Sequence, residues 1–251
     1  MNIIPLLEFD PNPTAVIMPG HEKMDLKLPE KVVYAFLGDA IDRYALSHDA
    51  KVLAEFVSSA DRYPIYEVQY KDYHVGLIKA PVGAPAAVQI LDRLIAYGAK
   101  QIISGGSCGV LEAIKENSFL IPVKALRDEG TSYHYVAPKR FITIRPEAIS
   151  AIKKTMESYG LEYHEVITWT TDGFYRETRA KVAARKEEGC SVVEMECSAM
   201  AACAAMRKVI WGEILFTADS LANPNLFDTR DRGRASIDPA VELCLDAVCN
   251  V

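Results

Sequence analysis

Short apolar runs, each closed by glycine or acidic residues and followed by a helical stretch, recur along this chain. That recurrence limits the fold more than any other feature. Strands alternating with helices build α/β architectures, and open α/β sheets present ligand-binding residues at strand-to-helix turns. Residues 191–205, SVVEMECSAMAACAA, give the clearest case. Ser191, Val192 and Val193 form a short strand, Glu194-Met195-Glu196 the turn, and Cys197 to Met206 a helix of small residues. Carboxylates stand here where an anion-binding loop carries glycine, which argues against phosphate at this spot. A carboxylate accepts two hydrogen bonds from vicinal hydroxyls, as on a ribose. Glu196 therefore has two readings, a polyol ligand or a simple complement to the helix N-terminus.

The other strand ends repeat the arrangement. The apolar run 31–37 leads to Gly38-Asp39 and a helix predicted to run to about residue 57. A glycine at a helix N-terminus is a ready anion site, and Arg43 lies about one turn in; a plain N-cap is the alternative. Residues 64–70 and 73–79 read as a hairpin around Lys71-Asp72, and a helix follows to about residue 97. The strand 100–104 enters Gly105-Gly106-Ser107-Cys108-Gly109, read as a loop. Its glycines let backbone approach a ligand, and their N–H groups can cradle an oxyanion. Residues 126–135, LRDEGTSYHY, have no periodicity and form a surface loop or a site wall. Phe174 follows the strand 163–169 and either stacks on a planar base or packs in the core. Asp219 follows the strand 209–217 and is either a general acid or a helix cap. This order predicts a three-layer α/β/α sandwich with a central mixed β-sheet.

Composition removes several classes of function. The net charge is −6 and the basic residues are scattered, so no nucleic-acid surface is expected. No apolar run approaches the ~20 residues of a membrane span. The proline-rich residues 1–30 lack the pattern of a secretory signal and read as an irregular arm, suited to lie on a neighbouring subunit. His21 on this arm is either a solvated loop residue or one that reaches a site across that interface. The six cysteines show no CxxC spacing and fit reduced, buried thiols of a cytoplasmic protein, with no metal site. Residues 1–251 are expected to form one domain.

Taken together, FLGD, SGGSCGVL, LRDEGTSYHY, TTDGFYRET, VVEMECSAMAA and FTADS resemble the nucleoside phosphorylase-I family in order and spacing. That family includes uridine phosphorylases, hexameric purine nucleoside phosphorylases and methylthioadenosine/S-adenosylhomocysteine nucleosidases. VVEMECSAMAA is the most specific segment, close to V-E-M-E-[SA]-x-A, and the segments around Arg127 and Phe174 are nearest to uridine-phosphorylase-like members. The resemblance implies a pentosyltransferase of nucleoside salvage. It would cleave the N-glycosidic bond with inorganic phosphate as co-substrate, giving free base and ribose 1-phosphate without metal or organic cofactor. It implies catalytic roles for Glu196 and Asp219. It implies substrate contacts from Ser107, Cys108, Gly109, Phe174, Met195 and Glu196, and phosphate contacts from Gly38, Arg43 and Ser107. It further implies a dimer-based homo-oligomer, up to a hexamer, with nucleoside and phosphate as its small-molecule partners.

Three positions depart from the family pattern. Family phosphorylases carry an arginine where Ser104 stands, and their G-D-P-x-R is G-D-A-I-D-R here. Arg62, Arg127 or Arg145 would have to supply the missing charge. The glutamine that pyrimidine-specific members carry after Phe-Tyr is absent. Asp219 matches the aspartate that protonates a purine at N7. These departures keep two alternatives open, a nucleosidase that uses water and a nucleoside-binding protein without turnover.

Overall fold

The computed structural model describes residues 4–223 and 225–251. Ten strands and six α-helices run through them. Strand β1 (Lys31–Ala35) is buried along residues 32–35, as expected for a parallel strand covered on both faces. It lies between β4 (Tyr73–Lys79) and β5 (Gln101–Val110), parallel to both. β3 (Arg62–Tyr70) and β2 (Lys51–Val57) extend the sheet antiparallel beyond β4. On the other side stand β6 (Phe119–Asp128), β8 (Tyr163–Thr171), β9 (Cys190–Glu194) and β10 (Ile210–Ser220), with the short β7 (Phe141–Thr143) on β6. Because β10 pairs with both β5 and β6, strands β5, β10, β6, β8 and β9 close into a ring. All five contribute to one apolar cluster, Cys108, Val110, Leu120, Val166, Val192 and Leu215. Closure leaves no free edge on this side of the sheet, and β2 is the open edge on the other.

Helices cover both faces. α2 (Ala84–Ala96) and α5 (Cys197–Arg207) pack together over Val32, Tyr34 and Ile102. α1 (Asp39–Ser47), α3 (Pro146–Ser158) and α6 (Arg234–Asn250) cover Val33, Ala35 and Ile103. Alternate residues of β1 thus enter opposite layers, the period of two expected of a strand. The result is a three-layer α/β/α sandwich around a mixed sheet. α4 (Arg179–Glu187) packs on β9 outside these layers. No helix among the described residues is long and apolar enough to cross a membrane.

Three local expectations change. The helix from Asp39 ends at Ser47, not near residue 57, because Asp49 turns the chain at φ 49° and residues 51–57 pair with β3. Val52 and Phe56, which continue a helical spacing from Ile41 and Ala45, instead lie on this edge strand. The glycines after Ser104 do not form a loop, since β5 runs on through them to Val110. A Cβ on Gly105 would meet Cys244 Sγ at 2.6 Å, and one on Gly109 would meet Asp219 Oδ2 at 3.1 Å. The glycines therefore admit neighbouring side chains against a strand. Residues 126–128 belong to β6, and only Thr131–His134 form a short 3-10 turn.

The arm leaves its first three residues outside the described ones. Among residues 4–30 the one helical piece is the 3-10 turn Pro5–Leu7. The arm lies on α2 and α5 of its own chain, held by Arg93 on Glu22 and by Arg207 Nη1 on the Pro13 carbonyl at 3.0 Å. His21 is exposed, with Nδ1 2.9 Å from the Met18 carbonyl oxygen.

Gly212 in β10 marks where α3 approaches the sheet most closely. A Cβ there would lie 2.6 Å from Ala148 Cβ and 3.3 Å from Ile152 Cδ1. Ala148 Cβ sits directly on the helix backbone and cannot rotate away. Gly212→Ala is expected to destabilise the fold by about 1–3 kcal/mol through overpacking. Urea denaturation checks this, and an unchanged midpoint would show that α3 shifts freely.

Candidate active site

The turn from β9 into α5 is held by Glu194, only 7% exposed. Its Oε1 accepts hydrogen bonds from Thr168 Oγ1 at 3.0 Å and Thr170 Oγ1 at 2.6 Å. Its Oε2 accepts from the backbone N–H groups of Glu196 at 2.7 Å and Cys197 at 2.6 Å. Glu194 therefore satisfies the open donors at the start of α5. The helix-complement role considered for Glu196 belongs to its neighbour two residues earlier. Glu196 makes no side-chain cap bond and turns aside to accept the Gly83 N–H at 2.5 Å. It is also only 7% exposed. Burial, reinforced by the charge of Glu194, pushes its carboxyl up to about 8.

Glu196 faces a cavity of about 170 Å³ at the carboxyl ends of β5, β9 and β10. The structure brings Ser107, Cys108, Gly109, Phe174, Met195 and Asp219 together with Glu196 around it. Phe174, 46% exposed, stands at its edge in a 3-10 turn, Phe174–Arg176, after β8. Asp219 packs on the bare face of Gly109. Burial raises its carboxyl, and the nearby Arg230 and Arg232 pull the other way. A larger groove of about 910 Å³ runs between the arm and α2, but its Asp92 is already paired with Arg207 at 2.6 Å.

Two further acids line the cavity that sequence reasoning did not single out. Glu177 lies half-buried beside Phe174, and burial followed by the charge of Asp219 brings its carboxyl up to about 7. Glu213 is 2% exposed in the middle of β10, and its Oε2 has no hydrogen-bond partner. A single charged residue inside the apolar run 209–217 was the available signal for it.

The expected phosphate contacts do not assemble in the same way. Gly38 and Arg43 are not among the residues lining the cavity. Ile41 and Ala45 turn the inner face of α1 to the core, so Arg43 points outward and pairs with Asp238 at 2.7 Å. Ser104, at the position of the family arginine, accepts the Trp211 Nε1–H at 3.0 Å and is fully buried. Arg127 is spent on the Ser132 hydroxyl and on the Ala137 and Val136 carbonyls. Arg145 pairs with Glu147, and Arg62 with Glu55, both at 2.6 Å and exposed. Among the described residues no lysine, arginine or histidine lines the cavity. Among the described residues no group of three or more His, Cys, Asp or Glu side chains is placed to hold a metal ion.

This arrangement offers an aromatic face at one end, a buried carboxyl in the middle, and raised carboxyls able to give or take a proton at neutral pH. Comparisons with known proteins bear on the family. An uncharacterised protein of Acanthamoeba polyphaga mimivirus is 34% identical over 48% of this chain and 47% of its own length. The uridine phosphorylase of Thermococcus kodakarensis is 32% identical over 45% of this chain and 41% of its own. The chain thus spans about half or less of the length of these relatives. Among solved structures, the uridine phosphorylase of Vibrio fischeri superposes with a TM-score of 0.77 at 20% identity, covering 90% of this chain and 95% of that one. The Phosphorylase superfamily profile matches residues 32–244, and the chain belongs to that superfamily.

Proposed function

We propose that this chain cleaves the N-glycosidic bond of a ribonucleoside, with water as the nucleophile. The convergence of Glu196, Phe174 and Asp219 on one cavity carries the reading. Phe174 takes the base on its face. Glu196, with Met195 beside it, takes the ribose hydroxyls. Asp219, its carboxyl raised by burial, gives its proton to the departing base. Positive charge develops on the sugar as the bond breaks, and a ring of carboxyls stabilises it. The cavity is smaller than the roughly 300 Å³ at the low end of small-molecule sites, so a nucleoside extends past its mouth at Phe174.

The choice of water rests on charge. A phosphate in this cavity meets acids and no cation among its lining residues. Each of these carboxyls that ionises repels it, by about 4 kcal/mol for one like charge at 4 Å and an effective dielectric of 20. The phosphorolytic reading is favoured by the name of the Thermococcus relative and by Gly38, exposed at φ 55° ahead of α1. The test is a panel of uridine, inosine, guanosine and adenosine, incubated with and without phosphate. Hydrolysis gives free base and ribose at the same rate in both buffers. Ribose 1-phosphate, formed only when phosphate is present, would establish phosphorolysis instead.

A further inference from the structure

Glu213 is a carboxyl placed where its burial is costly. On β10 it sits between Trp211 and Leu215, one facing the α2 and α5 layer and the other the ring cluster, while Ile214 faces the opposite layer. It pairs in register with Ser104 on β5. The Cys197 thiol donates to its carboxyl, but Oε2 is buried without a partner. An unpaired polar atom in the interior is expensive, and each such atom calls for an explanation. Here the atom belongs to a residue that lines the candidate site.

We propose that Glu213 binds the attacking water through this open oxygen and removes its proton. The proposal rests on the hydrolytic reading above. Glu213 and Asp219 both stand on β10, whose pairing with β5 shifts register between Thr217 and Ser220. They line the same cavity, with Met195 and Glu196 also on its wall. In inverting glycosidases one carboxyl gives a proton to the leaving group while a second activates a water on the opposite face of the sugar, and these two carboxyls offer the same division of labour. The water oxygen forms a bond to the anomeric carbon while the carbon–nitrogen bond breaks. The electron pair leaves with the base, which takes the proton of Asp219. The proton of the water passes to the Glu213 carboxylate, and solvent then resets both acids. The product is the free sugar, with a hydroxyl on the face opposite the departed base.

The groups facing Glu213 are Glu194 and Glu196 at the β9–α5 turn, Cys197 on α5, Cys108 on β5 and Cys244 on α6. None is a cation; burial, then the charges of Glu194 and Glu196, favour its protonated form, and the Cys197 hydrogen bond opposes them. The reactive carboxylate therefore becomes more abundant as pH rises, and kcat should climb with pH along a limb that belongs to Glu213.

The test uses the full chain and the nucleoside it cleaves fastest. Glu213→Gln should lower kcat at least ~100-fold, the scale of a lost general base, with KM within ~3-fold and the ascending pH limb gone. Glu213→Ala should be rescued at least ~10-fold by sodium azide, giving a ribosyl azide inverted at the anomeric carbon. Thermal melting of both variants establishes that they are folded. If wild-type protein hydrolyses nucleosides but folded Glu213→Gln stays within ~3-fold of it, Glu213 has no such role and hydrolysis stands. If azide leaves Glu213→Ala unchanged, the base assignment is likewise overturned. If wild-type protein needs phosphate, the hydrolytic reading fails and the water assignment fails with it.

Discussion

Glu196→Gln will lower turnover at least ~100-fold and, above about pH 7, will raise the melting temperature of the same protein. The first effect follows from the ribose contact proposed for it. Glutamine keeps the acceptor for the Gly83 N–H but cannot ionise, so it loses the carboxylate form that answers an electron-poor ribose, and stabilisers of that kind are worth ~10²–10³ in kcat. The second follows from linkage. Burial first, and then the charge of Glu194, raise the Glu196 carboxyl from 4.5 to about 8 in the folded chain. Between those values the folded state holds a proton that the unfolded state has released, so stability falls as pH rises through this window. The full penalty is up to about 5 kcal/mol, since each tenfold change in proton affinity is worth about 1.4 kcal/mol. Glutamine has no proton to lose and escapes it. Melting curves from pH 5 to 9 should nearly coincide for the two proteins at pH 5 and separate by at least ~5 °C at pH 9. Parallel curves, or near-normal turnover, would remove Glu196 from the role assigned to it.

Much of this site could be read because α/β chains put ligand contacts at strand ends, and strand ends are local in sequence. Glu196, Phe174, Asp219 and the glycines of β5 each follow an apolar run, so pattern alone brought them forward. The rest depended on what sits across from each residue. Glu194 and Glu196 are alike in sequence, and only Thr168 and Thr170 on β8, some 25 residues earlier, make the first a scaffold. The glycines after Ser104 read as a loop because their use is set by Cys244 and Asp219, far along the chain. Residues 51–57 share a spacing with both helix and strand, and pairing with β3 decides between them. Arg43 has the right distance from Gly38, but the direction of its side chain is fixed by which face of α1 is buried. Glu213 was masked by the hydrophobic run that contains it. A lone acid among apolar residues shows its meaning only when the neighbours leave an oxygen unpaired.

Glu194→Leu is expected to destabilise the fold by at least ~4 kcal/mol, more than any other single change to the site. The substitution removes an acceptor that four donors share, two threonine hydroxyls on β8 and two backbone N–H groups at the start of α5. Each donor left buried without a partner costs about 1–3 kcal/mol, and the four are not independent. Burial raises the Glu194 carboxyl while these hydrogen bonds hold it down, so much of its effect lies in the donors it satisfies. Glu194→Gln should fall between the two proteins. Its amide oxygen can serve one pair of donors, while its NH₂ faces the other pair and repels them. The order expected from urea denaturation is therefore wild type, then Gln, then Leu, with a gap of at least ~2 kcal/mol between the last two. The Gln variant carries a second readout. Without the neighbouring charge, the Glu196 carboxyl should titrate below about 8, and the stability loss it causes should begin to saturate at lower pH. If Glu194→Leu stays within ~1 kcal/mol of wild type, the four hydrogen bonds are not what fixes this turn. Glu196 would then have to be held in place by its hydrogen bond from the Gly83 N–H.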